Sequence, residues 1–160
     1  MSLSPVILQR GTPESWHIMP LFLDRVRKFT GSHTDAQEDI LPQLAASAFG
    51  GGSEAGLLIA ILDDDARLPG ALVGHVACGV ETYLGRSVCM VYQFEKDKHD
   101  GDPSEWKTLN HSIQAIVDNW CRSIGLDEIM IMAETESRAR LFKYFGYQPG
   151  PVLMRRKFDG

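Results

Sequence analysis

The stretch from Arg86 to Ala133 admits few folds. An apolar run, RSVCMVYQFEK, leads through a short polar loop, DKHDGD, into the long segment PSEWKTLNHSIQAIVDNWCRSI. In that segment Trp106, Leu109, Ile113, Ile116, Val117, Trp120 and Ile124 recur at three- and four-residue steps, which keeps them on one face of a helix. Asp102 reads as the N-cap, with Pro103 at the first helical position and Glu105 three residues after the cap. Gly125 supplies a left-handed stop. The run LDEIMIMAE that follows reads as a strand covered on both faces. Strand, crossover helix and parallel strand make a βαβ unit, and such crossovers are right-handed. Open α/β sheets bind ligands at the carboxyl ends of their strands, so a site is expected between Tyr92 and Glu105.

Composition narrows the class further. A chain of 160 residues with 44% hydrophobic and 23% charged content is expected to form a single domain, 1–160, with a real core. The formal charge of −5 disfavours an extended nucleic-acid surface. No apolar run is long enough to span a membrane, and Met1 to Arg10 lacks the pattern of a signal peptide. Cys78, Cys89 and Cys121 each sit inside an apolar pattern and read as buried reduced thiols, as in a cytoplasmic protein. Neither they nor the five histidines show metal spacing.

Before the central unit, Val6 to Gln9 reads as a first strand, and Thr12-Pro13-Glu14 opens a helix carrying Met19, Phe22, Leu23, Val26 and Phe29. Pro20 inside it predicts a kink or a division. A second helix runs from about Asp39 to Phe49, with Pro42 tolerated only in its first turn. Leu57 to Leu62, Ala71 to Tyr83 and the strand from Arg86 form an antiparallel meander, with Gly74 and Gly79 as candidate bulges. Asp63-Asp64-Asp65 reads as a solvated hairpin tip. A short helix, ESRARLFKYFG, and a strand from Val152 to Phe158 close the chain. The fold class is α/β (α+β), in the order β-α-α-β-β-β-α-β-α-β.

That order, together with the ending RLFKYFGYQPGPVLMRRKF, resembles the GCN5-related N-acetyltransferase (GNAT) superfamily. The resemblance implies a mixed sheet whose central parallel strands, Ser87–Glu95 and Glu128–Ala133, splay apart toward Glu95 and Ala133. It also implies transfer of an acetyl group from acetyl-coenzyme A to a primary amine of a small molecule or protein. Cofactor contacts would come from Phe94, Lys96, Lys98, Gly101, Asp102 and Ser104. Glu95 would relay the amine proton to water, and Tyr144 is the nearest candidate for protonating the leaving thiolate.

The chain departs from the family pattern in two places. In the signature loop the second small position is Pro103, which lacks an amide, and Asp100, Asp102 and Glu105 crowd a helix start that would otherwise receive phosphate. In the last helix the family's tyrosine position is Phe142. Tyr144, two residues on, points about 200° away around a helix. The family's alanine position is Arg138, read together with Arg140 as part of a charged outer face. His75 and His111 read as residues at the border of the core. Two readings therefore stand: an acetyltransferase, or a catalytically degenerate GNAT-fold module that binds protein. The second resembles bacteriophage chains of this size and would put the protein in a virion, with a homo-oligomer or a structural protein as partner.

Overall fold

The computed structural model describes residues 2–29, 37–51, 54–97, 103–133, 135–150, 156 and 158. Its elements are β1 (Leu3–Ile7), α1 (Pro13–Phe29), α2 (Gln37–Gly51), β2 (Gly56–Asp63), β3 (Leu72–Tyr83), β4 (Arg86–Lys96), α3 (Pro103–Ser123), β5 (Ile129–Ile131) and α4 (Glu136–Tyr144). The strands form one sheet in the order β1-β2-β3-β4-β5. Pairing is antiparallel up to β4, and β4 pairs with β5 in parallel. The β3–β4 hairpin turns on Leu84 and Gly85, both at positive φ, the backbone that matches a right-handed strand twist.

Helices cover both faces of the sheet. Ile18, Phe22 and Val26 of α1 and Leu41, Ala45 and Phe49 of α2 pack on Leu58, Ala60 and Ala77. Ile113, Val117 and Trp120 of α3 pack on Ile59, Val76, Cys89 and Val91. Neighbours such as Leu58 and Ile59 point to opposite faces yet both are buried, so β2 reads as a continuous apolar run and not as an alternating one. Gly125, at φ 80°, ends the α3 region in the left-handed conformation expected from the sequence.

Several boundaries differ from the sequence reading. β1 begins at Leu3, ahead of Val6, and α2 begins at Gln37, which makes Pro42 its sixth residue. α1 is one helix through Pro20. β5 is shorter than the Glu128–Ala133 expected, and Met132, just past its end, is 53% exposed. The final strand, Val152 to Phe158, falls largely outside the described residues. Among the described residues, no helix is long and apolar enough to cross a membrane.

Candidate functional site

The site is shaped by two irregularities of β4. The first is a bulge. Ala77 pairs with Gln93 and Cys78 with Val91, so Tyr92 is the extra residue. Strict alternation from Cys89 and Val91, which face α3, would send Gln93 and Glu95 to that same face. The extra residue reverses the parity. Tyr92 packs with the α1–α2 side and Gln93 Nε2 donates to the Val26 carbonyl of α1. Glu95 stands opposite His75, whose ring stacks on Phe22 of α1. Gly74 and Gly79 are not themselves the extra residues. In β3 that residue is Val73, and Gly79 makes room for the Tyr92 ring, which a Cβ would meet at 2.7 Å.

The second irregularity is the end of pairing with β5. Among the described residues, only Cys89, Met90 and Val91 pair with β5, with partners Ile129, Met130 and Ile131. Beyond Val91 the two strands separate, as the resemblance implied. Phe94 turns toward α3 and lines a cavity of about 10 Å³ with Val91, Asn110, Ile131 and Phe142, room for roughly one water. Asn110 is buried there, and its Oδ1 has no hydrogen-bond partner.

α4 supplies the group that faces the open edge of β4. Thr135 caps it, accepting from the Arg138 amide at 3.2 Å. The Arg138 guanidinium turns inward: Nη2 donates to the Phe94 carbonyl at 3.1 Å and to Glu95 Oε2 at 2.8 Å, and Nη1 reaches Glu95 Oε1 at 3.4 Å. The outer helix face expected for Arg138 is therefore wrong, because the first turn of α4 lies against the edge of β4. Arg140 is exposed, as expected. Glu95, the expected proton relay, is 9% exposed. A carboxylate so buried requires a charge-assisted partner, which Arg138 provides. Lys96 takes the other face and sets its Nζ 4.6 Å over the Trp106 ring. Its pKa is lowered, first by partial desolvation and then by the nearby Arg138 charge.

The remaining predicted residues distribute as follows. Ser104 is exposed in the first turn of α3. Lys98, Gly101 and Asp102 lie outside the described residues, and so does the capping arrangement of the loop. Tyr144 is 59% exposed and stacks on His111, with Lys107 Nζ over its ring, while Phe142 faces the core. The two side chains thus face different ways, in keeping with helical spacing. Asp63, Asp64 and Asp65 form the expected hairpin tip, with Asp64 accepting from the Ser4 hydroxyl at 2.6 Å.

Sequence reasoning missed a network behind Glu95. His75 is fully buried, not at the border of the core. Its Nδ1 accepts from Arg25 Nε at 3.2 Å, and its Nε2 lies 2.6 Å from Gln93 Oε1. Arg25 also pairs with Asp97 at 3.1 Å. These contacts place the ring proton on Nε2, and burial lowers the pKa of His75 to about 4, with a further push from Arg25. A histidine two residues from a bulge gives no sequence signal of this kind, since the partners come from α1 and β4.

No protein-family model matches the sequence, and no curated protein matches it significantly. Solved structures do. A GCN5-related N-acetyltransferase from Ralstonia eutropha JMP134 is similar with a TM-score of 0.64 at 12% identity, over 98% of this chain and 99% of that one. The aminoglycoside antibiotic 6'-N-acetyltransferase AAC(6')-Ih from Acinetobacter baumannii gives 0.63 at 12% identity, over 99% and 100%. AAC(6')-Iy, in complex with the bisubstrate analogue CoA-S-monomethyl-acetylneamine, gives the same figures of 0.63, 12%, 99% and 100%. The chain has the GNAT fold.

Proposed function

We propose that the chain transfers an acetyl group from acetyl-coenzyme A to a primary amine. The observation that carries this reading is a buried carboxylate, Glu95, beside the open edge of β4 in a fold whose solved examples include an acetyltransferase holding a coenzyme A analogue. The amine attacks the thioester carbonyl, a C–N bond forms, and the C–S bond breaks with the sulfur taking the electron pair. Glu95 takes the amine proton through water, and the backbone of Phe94 to Lys96 orients the donor. Lys96 offers positive charge at the end of the strand that enters the loop. A small-molecule amine acceptor is favoured by the aminoglycoside acetyltransferase among the similar structures.

The rival reading, a GNAT-fold module without catalysis, is favoured by one feature: Arg138 covers the Phe94 carbonyl and Glu95 together. Release of free thiol from acetyl-coenzyme A in the presence of a panel of amines separates the two. Turnover that falls about 10²–10⁴-fold in Glu95→Gln is the result expected of an enzyme. Absence of thiol release with every amine supports the module.

A further inference from the structure

We infer that Arg138 is an internal latch, closed in this structure, which a donor must displace from β4 before Glu95 can act as a base. The inference rests on the acetyl-coenzyme A reading above and adds a gating residue to it.

Past Val91 the edge of β4 has no strand partner among the described residues, and the Phe94 carbonyl is met by a side chain, Arg138 Nη2 at 3.1 Å. An extended, amide-bearing arm that adds to a sheet edge needs that same kind of carbonyl. The guanidinium and such an arm therefore compete for one acceptor. The same guanidinium holds Glu95 through both terminal nitrogens. A carboxylate engaged in this way directs at a cation lone pairs that a water or an amine would otherwise meet.

Two further observations make the contact a latch and not a fixed strut. The Arg138 side chain is 29% exposed, against 11% for Glu95, so the guanidinium has a path to solvent while the carboxylate stays in place. Lys96, on the neighbouring β4 position, feels the Arg138 charge, so the two cations repel at the end of the strand. Moving Arg138 away from the strand relieves that repulsion. Donor binding and exposure of the base are thereby coupled.

Calorimetry with acetyl-coenzyme A tests this on the wild-type chain, Arg138→Met and Arg138→Ala. Methionine keeps helix propensity and most of the apolar stem, which guards against a variant that fails to fold. Both variants are expected to bind at least tenfold more tightly than wild type, and the KM for acetyl-coenzyme A is expected to fall by a similar factor in Arg138→Met. Equal affinity in all three chains leaves the donor reading intact and overturns the latch. Weaker binding in the variants overturns it as well, since Arg138 is then a donor contact. No binding by any of the three removes the donor reading and the latch with it.

Discussion

His75 Nε2 lies 2.6 Å from Gln93 Oε1, and both groups are sealed beneath α1, the histidine at 0% and the glutamine at 2% exposure. Because Nδ1 accepts from Arg25, the ring is neutral in the fold and its pKa sits at about 4. An unfolded histidine takes its proton near the ordinary 6.5, so between these values the unfolded chain binds more protons than the folded one. Stability therefore falls as pH drops from about 6.5 toward 4, by up to about 3 kcal/mol from this group. Urea unfolding at pH 7 and pH 4.5 measures the loss, and His75→Gln is expected to remove most of the difference.

Trp106 and Trp120 are each 7% exposed on the sheet side of α3, as their place in the apolar stripe predicts. Trp120→Ala is expected to cost about 3–5 kcal/mol. A loss below about 1 kcal/mol by chemical denaturation counts against close packing at that position.

Gly74 allows β3 to approach the strand that carries the site. A Cβ there would stand 2.9 Å from the Glu95 carbonyl oxygen and 2.8 Å from Ile61 Cδ1. The first neighbour is backbone and cannot rotate away. Gly74→Ala is expected to destabilise the chain by about 1–3 kcal/mol, with tighter or unchanged stability as the contrary result.

All three cysteines are free and buried, Cys89 at 0% exposure and Cys78 and Cys121 at 3%. Burial pushes the Cys121 thiol up to about 12, and the hydrogen bond with Cys78, ahead of burial, raises Cys89 further. A thiol-reactive disulfide reagent at pH 8 is expected to leave the native chain unmodified and to titrate all three thiols after denaturation. Fast reaction of any one in the native state contradicts this packing.

How much of this was written in the sequence depends on the range of the interaction. The amphipathic pattern of α3, the Leu84-Gly85 turn and the left-handed Gly125 are local, and each is legible because a few neighbouring residues decide it. The separation of Phe142 from Tyr144 follows equally from helical spacing. The parity of β4 does not. One extra residue at Tyr92 moves Gln93 and Glu95 to the α1 face, and the bulge is set by pairing with β3, by room at Gly79 and by the Val26 carbonyl. The inward turn of Arg138 is likewise decided by where α4 docks, since on its own helix it reads as one charge among several. Periodicity names the elements of this chain. The groups gathered around Glu95 and His75 come from α1, β3, β4 and α4, and only the packing of those elements could bring them together.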